Sequence, residues 1–161
     1  MNKKEQLVSI LRQNARLTNV QISAMLGISE EETDAMIKEL VDSGIIIGYS
    51  AIINEEEFDK NSVSALIEVR VSPAVNCGYD DIAAVIAQYP EVTSVYLMSG
   101  GYDLAVTVKG TNLREVATFV SDKLAPLDGV LSATTHFILH RYKEMDKLFI
   151  TDTDERSLVS P

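Results

Sequence analysis

The sequence has little of the chemistry that disulfide frameworks, metal sites and common hydrolases need. Its 161 residues include a single cysteine, Cys77, which excludes an internal disulfide bond. No phosphate-binding glycine loop or nucleophile-elbow motif is present, and the two histidines are His136 and His140. On the strand predicted below they would lie roughly 13 Å apart at ~3.3 Å per residue, too far to share one metal ion. We interpret them as partly exposed sheet residues and expect no metal and no enzyme.

Long apolar runs are also absent. The most apolar stretch, residues 44–53, has about half of the roughly 20 residues that a membrane-spanning helix needs, and polar residues interrupt it. The N-terminus lacks the combination of basic region, apolar core and small-residue cleavage site that marks a secretory signal. We therefore expect a cytoplasmic protein without a membrane partner.

Basic side chains are scarce. Lys and Arg number 14 against 24 Asp and Glu, which gives a net charge of -10. Because phosphate binding draws most of its affinity from Lys and Arg, this balance opposes nucleic acid binding at first sight. Residues 1–53 hold only seven of the acidic side chains, against five basic ones, so most of the excess lies elsewhere.

The first fifty residues have helical periodicity. Apolar side chains recur at spacings of three and four, which predicts three short amphipathic helices. Thr18 with Gln21, and Ser29 with Glu32, have the spacing of capping boxes at the starts of the second and third helices. The first module is therefore helical from near its start.

Turn and strand signals complete this module. Gly27 suits a left-handed turn between helices two and three, and Gly44 suits a helix end. A β-branched run over residues 45–53 predicts a strand. Three helices with a tight second turn and a following strand predict a winged helix-turn-helix domain over residues 1–53. A small helical dimerisation module is the alternative.

A second module follows residues 54–62, which are polar and which we interpret as a hinge. The apolar period then becomes two over residues 65–71, which predicts a strand that is buried on one face and closed by Pro73. A helix follows, with Asp80 as its predicted N-terminal cap. The module thus opens with a strand and a helix.

The rest of the module repeats these element types. Two β-branched runs, residues 92–98 and 104–108, predict a hairpin, Asn112 opens another helix, and residues 130–142 predict a last strand. Strand, helix, strand, strand, helix, strand is the split βαβ order of an α+β domain, here residues 63–143. Its antiparallel four-stranded sheet carries both helices on one face. We expect the other face to be apolar and to drive self-association.

The hairpin loop is the candidate small-molecule site. Gly100 and Gly101 expose backbone groups that can hold the charged ends of an amino acid, and Ser99 and Tyr102 add side-chain donors and acceptors. The Asp103 carboxylate can meet an amino group or cap the amides of its own loop. Two further residues are expected to flank the site, Met98 and Thr135. A plain hairpin turn is the alternative.

Three segments carry a family resemblance: residues 17–23, residues 44–49 and the loop 99–103. Together with the order of elements from about Gln6 to Tyr142, they resemble the Lrp/AsnC family of feast/famine regulators. The resemblance implies a winged helix-turn-helix followed by a ferredoxin-like βαββαβ (RAM/ACT-like) regulatory domain that pairs through its sheet. It also implies double-stranded DNA as a partner, an amino acid or related effector held by the loop between subunits, no cofactor, and homodimers that assemble into rings.

The predicted recognition helix departs from this pattern. Residues 29–40 carry five acidic side chains and one basic one, where DNA-reading relatives usually present Arg and Lys. Carboxylates in a first turn interact favourably with the helix dipole, yet they repel an approaching phosphate. The DNA contacts we expect come from six residues, doubled in a dimer: Lys3, Lys4, Arg16, Ser29, Thr33 and Lys38.

Two alternatives share this architecture. A metabolite sensor that acts through a protein partner would suit the acidic helix. Sirohaem decarboxylases look like the same two-module family and keep a helix-turn-helix that does not serve DNA. Such an enzyme should present Arg and His to a carboxylated tetrapyrrole, whereas here Arg70, Arg114 and Arg141 are scattered. Residues 144–161 form an acidic tail that we expect to be partly ordered.

Overall fold

The computed structural model describes residues 2–72 and 78–149, which belong to two compact units that divide between Ile52 and Ile53. The first unit contains α1 (Lys3–Gln13), α2 (Asn19–Leu26) and α3 (Glu30–Asp42). Pro73, Cys77 and residues 150–161 of the tail lie outside the described residues. None of the described helices is long and apolar enough to cross a membrane.

Local hydrogen bonds set the starts of α2 and α3. The Gln21 amide donates to Thr18 Oγ1 over 3.3 Å, and the Thr18 amide donates to Gln21 Oε1 over 2.9 Å, which confirms the first capping box. The second is confirmed in its forward half, since the Glu32 amide donates to Ser29 Oγ over 3.1 Å. Gly27 ends α2 at φ 64°, the left-handed region in which a residue without Cβ is unstrained.

The core of the first unit is a small cluster of four buried leucine and isoleucine side chains. Their spacing follows the helical period, since Ile22 and Leu26 are one turn apart on α2, while Leu7 and Leu40 come from α1 and α3. Removing such a side chain costs about 2–5 kcal/mol, so this cluster holds the three helices together.

Residues 45–53 are the first departure from prediction, because residues 46–53 form no strand. The amides of Ile45 and Ile46 donate to the Leu40 carbonyl and complete the end of α3. Beyond them residues 47–53 have no regular secondary structure and are exposed, and the Ile47 side chain is 97% exposed. A strand exists only when a neighbouring strand pairs with its backbone groups, and the described part of this unit offers none.

The second unit is an antiparallel sheet with two helices. Its elements are α4 (Glu55–Phe58), β1 (Val63–Val71), α5 (Tyr79–Ala87), β2 (Val92–Leu97), β3 (Leu104–Gly110), α6 (Leu113–Phe119), which continues as a π-helical turn (Val120–Leu124), β4 (Val130–Phe137), β5 (Lys143–Glu144) and β6 (Lys147–Leu148). The sheet order β2-β3-β1-β4 confirms the predicted ferredoxin-like α+β fold. The short strands β5 and β6 form a separate hairpin.

One face of the sheet carries both helices. Ile67 on β1 lies opposite Val106 on β3, and both are fully buried against α5 and α6. The alternating positions of β1 predicted to be apolar all join this core, together with side chains from both helices. The main members are Ala65, Ile67, Val69, Val71, Ile82, Ile86, Leu104, Val106, Val108, Val116, Phe119 and Leu124.

The other face is not apolar, and that prediction is wrong. Glu68 lies opposite Ala105 on β3 and Thr134 on β4, and most neighbouring positions on this face are also polar or charged. The period of two that buries one set of side chains places the intervening polar set here. The remaining members are Ser64, Leu66, Arg70, Ser94, Tyr96, Thr107, Lys109, Ser132 and His136.

Two predicted element ends differ from the structure. Asp80 does not cap α5, because the helix begins at Tyr79 and the Asp81 carboxylate accepts the Gly78 amide over 2.8 Å. The last strand ends at Phe137 rather than residue 142, since β1 begins at Val63 and offers no further partner.

The predicted hinge contains a helical turn, α4. Because β4 ends at Phe137, His140 lies outside the sheet, although it was predicted to be a sheet residue. Its Nδ1 lies 2.8 Å from Glu56 Oε2 of α4, so α4 contacts the chain beyond β4. The part of the chain expected to act as a flexible connection is thus tied to the second unit.

Candidate functional site

The candidate DNA-binding surface is the outward face of α3. Thr33 and Leu40 are buried and define the face of the helix that meets the core. At about 100° per residue, Glu31, Ala35 and Lys38 fall on the opposite face, and all three are exposed. In a helix-turn-helix the N-terminal part of the third helix meets the base edges. We call these three residues the outward stripe.

Thr33 does not belong to this surface. Its side chain is 0% exposed, and its hydroxyl donates to the Ser29 carbonyl over 2.9 Å. The expectation that Thr33 contacts DNA is therefore wrong. It precedes Ile37 by four residues and Leu40 by seven, so the helical period alone places it among the core positions.

The predicted cations fall into two groups. Lys3 donates to the Leu26 carbonyl, and Lys4 pairs with Glu39, so both already have partners within the unit. Arg16 and Lys38 are exposed and make no salt bridge with any residue that the structure describes. Of the four predicted cations, these two are available to reach DNA. Ser29, also expected to contact DNA, is exposed and caps α3.

Acidic side chains flank these cations. Hydrogen bonds from its own backbone amide and from the Ser29 hydroxyl lower the pKa of Glu31, so this carboxylate is ionised at neutral pH. Asp34 Oδ1 accepts a hydrogen bond from Asn19 Nδ2 over 3.0 Å, which ties α3 to the start of α2. The surface therefore presents hydrogen-bond acceptors as well as cations.

The candidate effector site is the loop between β2 and β3. The Met98 amide donates to the Asp103 carbonyl over 2.8 Å and closes the loop. Met98, Ser99, Gly100 and Gly101 are exposed, and Tyr102 and Asp103 are half-buried. The glycine backbone groups are thus accessible, as the sequence suggested.

Asp103 has a role that neither sequence-based alternative described. Its Oδ2 accepts the Val71 amide over 2.9 Å, and its own amide donates to the Val69 carbonyl over 3.0 Å. The carboxylate therefore holds the loop against the end of β1, 32 residues away. No local sequence signal identifies Val71 as the partner.

Thr135 lies apart from the loop within one chain. It is opposite Ile67 on the helix-bearing face of the sheet, and β1 separates its strand from β3. Two strand spacings of about 4.8 Å put roughly 10 Å between β4 and β3. A single chain does not bring Thr135 to Met98.

A cleft of about 310 Å³ lies at the opposite end of β3 from this loop. Its lining residues are Asp59, Ser62, Pro90, Glu91, Lys109, Gly110, Thr111 and Glu115. No group of three or more His, Cys, Asp or Glu side chains suited to a metal ion occurs among the described residues.

A polar cluster that sequence reasoning missed surrounds Glu56. Its Oε1 accepts the Arg141 amide over 2.9 Å, in addition to the His140 contact. Desolvation opposes ionisation of Glu56, but the hydrogen bonds from Arg141 and His140 outweigh it and lower its pKa. The other histidine, His136, approaches Glu68 at 3.4 Å on the open face of the sheet.

Comparison with known proteins identifies both units. A winged helix-turn-helix DNA-binding family matches residues 2–47, and the Lrp/AsnC ligand binding domain matches residues 64–148. The chain belongs to the Lrp/AsnC family. As an Lrp/AsnC transcriptional regulator, it joins a DNA-binding domain and a ligand-binding domain in one polypeptide, as the resemblance implied.

Individual Lrp/AsnC relatives match over nearly the whole chain. YugG of Bacillus subtilis, an uncharacterised HTH-type transcriptional regulator, is 45% identical over 99% of this chain and 97% of its own. The HTH-type transcriptional regulator FL11 of Pyrococcus horikoshii is 30% identical over 89% of this chain and 92% of its own. A crystal structure of a transcriptional regulator from Neisseria meningitidis in complex with L-Met is 28% identical, covers 89% of this chain and 92% of that chain, and has a TM-score of 0.75.

Proposed function

We propose that this Lrp/AsnC regulator binds operator DNA through residues 1–53 and an amino acid or related metabolite at the loop 98–103, and that the metabolite alters DNA binding. The main support for this proposal is the presence of a DNA-binding domain and a ligand-binding domain in one chain. The Neisseria meningitidis relative, solved with L-Met, supports an amino acid as the ligand class. The protein would act in the cytoplasm, without a cofactor.

The loop suits the two charged ends of an amino acid. Backbone amides of Gly100 and Gly101 can donate to a carboxylate, and the Ser99 hydroxyl and Tyr102 can donate or accept. Small-molecule sites usually bury 70–90% of their ligand, whereas this loop is open to solvent. A second copy of the chain would close it, and that copy is also the proposed route by which Thr135 joins the site.

Dimer formation is supported by the segment 45–53, which is largely exposed. Ile45, Ile47 and Tyr49 alternate along it and are 64%, 97% and 55% exposed. Pairing residues 47–53 with their counterparts in a second copy would satisfy their backbone groups and remove apolar surface from water. Light scattering should give the dimer mass, or a multiple of it for a ring of dimers. Ile47→Asp should give the monomer.

A salt titration tests the DNA-binding proposal. The full-length protein should bind its own upstream region at low salt, with an affinity that falls as a power of the salt concentration. Arg16→Ala should weaken binding to all sequences and reduce the salt slope by about one unit if it contacts one phosphate. Absence of binding at low salt, with or without amino acids, would overturn the proposal.

A thermal-shift screen of the twenty amino acids tests the effector proposal. A ligand at 100 times its Kd should stabilise the folded protein by about 2.7 kcal/mol. Ser99→Ala is the variant of choice, because the exposed Ser99 hydroxyl does not support β1 as Asp103 does. A screen in which no amino acid raises Tm would contradict an amino acid effector.

The acidic first turn of α3, with Glu30, Glu31 and Glu32, favours one second candidate, a sensor of the same fold that acts through a protein partner. It would show an effector-induced Tm shift but no DNA binding at low salt. The decarboxylase alternative has less support, because Arg141 already contacts Ser64 and Glu144 at 3.3 Å each. The relatives are also named for transcriptional regulation. Incubation with a carboxylated tetrapyrrole should give neither a bound chromophore nor decarboxylation.

A further inference from the structure

The outward stripe of α3 presents three different chemistries in a row. Glu31 offers a carboxylate, Ala35 a methyl group and Lys38 an ammonium group, and all three side chains are exposed. Glu31 and Lys38 are roughly 10 Å apart along the helix axis at ~1.5 Å per residue. That length corresponds to about three base steps of ~3.4 Å.

Glu31 is ionised and exposed. Its own backbone amide and the Ser29 hydroxyl lower the pKa of the carboxylate, and the side chain is open to solvent. A carboxylate has about four lone-pair positions, so it can accept from an incoming donor. An ionised carboxylate has no proton to donate and therefore cannot bond a phosphate or the acceptor edge of guanine.

In the major groove, the donors are amino groups. Cytosine presents the N4 amino group, for which Glu and Asp are the matching side chains, while adenine N6/N7 suits the amide of Asn or Gln. The thymine methyl group suits an alanine, and guanine O6/N7 suits Lys.

We propose that the acidic recognition helix reads base edges, with Glu31 selecting cytosine through its N4 amino group, Ala35 contacting a thymine methyl group and Lys38 donating to guanine. This inference rests on the proposed DNA binding and adds which bases the helix would select. Phosphate contacts are then left to cations off the stripe, such as Arg16.

The flanking charges fit weak binding to DNA in general. Glu30 and Glu32 are exposed beside the stripe and repel phosphates of any sequence. This repulsion lowers the affinity for every sequence by a similar factor, so discrimination, which is a difference between affinities, is left to the base contacts. We therefore expect low non-specific affinity, with the ratio of specific to non-specific binding set by the outward stripe.

The test is selection of binding sites by the full-length protein from a randomised duplex pool at low salt. The wild type should enrich cytosine at one position, with a preference of roughly 5- to 150-fold, the range of one good base contact. Glu31→Gln should shift the preference at that position from cytosine toward adenine, because an amide both accepts and donates.

Glu32→Gln is the matched control. It removes the same charge from the same turn, but its side chain lies about 100° away from Glu31 around the helix. It should raise non-specific affinity as Glu31→Gln does and leave the cytosine preference unchanged. Each variant removes one first-turn carboxylate that interacts favourably with the helix dipole, so the two variants should melt at the same temperature as each other, slightly below the wild type.

The outcomes separate the two proposals. If the wild type binds no duplex, the proposed DNA binding fails, and this inference fails with it. If it binds but Glu31→Gln keeps the cytosine preference, or Glu32→Gln loses it to the same extent, base readout by Glu31 is overturned while DNA binding stands.

Discussion

Replacing Asp103 by alanine should destabilise the second unit, because its carboxylate supports a strand as well as a loop. The Val71 amide donates to Asp103 Oδ2 over 2.9 Å, and Val71 is only 5% exposed. Removing the acceptor leaves a buried N–H group without a partner. The cost of such a group is about 1–3 kcal/mol, and hydrogen bonds to charged groups lie toward the upper part of that range.

We expect a loss of about 2 kcal/mol, which corresponds to a decrease in Tm on the order of 10 °C for a unit of this size. Urea unfolding followed by circular dichroism measures the free energy, and differential scanning calorimetry resolves the unit concerned. The first unit should be unaffected, since Asp103 and its partners belong to the second.

Asp103→Asn separates structural support from ligand binding. The amide oxygen of asparagine can accept the Val71 amide, so stability should largely return. A ligand that needs the negative charge would still bind less tightly to this variant. If Asp103→Ala unfolds at the wild-type urea concentration, the hydrogen bond contributes nothing measurable and the structural role assigned here is refuted.

Three further predictions concern single positions. Gly27→Ala should destabilise the first unit by roughly 1–2 kcal/mol because φ is 64° there, whereas Gly48→Ala, which has open space and no positive φ, should be nearly neutral in the same urea titration. Thr33→Val should cost about 1 kcal/mol for one lost hydrogen bond and leave DNA affinity unchanged in a gel-shift assay, while a tenfold loss of affinity would restore Thr33 as a contact. The lowered pKa of Glu56 means that its stabilisation is present above about 4.5 and is lost as the pH falls through the folded-state pKa. The free energy of unfolding should therefore fall less steeply with decreasing pH in Glu56→Gln than in the wild type. Superimposable profiles of this free energy against pH would contradict the role of Glu56.

The element order was predictable because each signal is local. Helical and strand periods are properties of neighbouring residues, and the cap of α2 by Thr18 and Gln21 involves residues three apart. The error at the start of α5 is also local. Asp80 and Asp81 are adjacent candidates for the cap, and only the backbone geometry selects Asp81. Thr33 could also have been placed correctly, since its spacing to Leu40 is that of a core position.

The candidate sites were less predictable, because their geometry depends on long-range contacts. The sequence identified the loop 98–103 and its exposed glycines, but not the bond from Asp103 to Val71. It identified Arg16 and Lys38 among the cations, but not that Lys3 and Lys4 are engaged by Leu26 and Glu39. Partners 23 and 35 residues apart leave no periodic trace.

The sequence by itself determined the two-module order, the buried faces of the helices and of β1, and the family, because hydrophobic periodicity and capping act within one or two turns of chain. Tertiary structure decided which polar groups meet. Glu56 contacts His140, 84 residues away, and residues 47–53 form no strand because the described part of the first unit offers no neighbouring strand. Pairings of this kind depend on how the packed core brings distant residues together, and local sequence patterns do not encode that proximity.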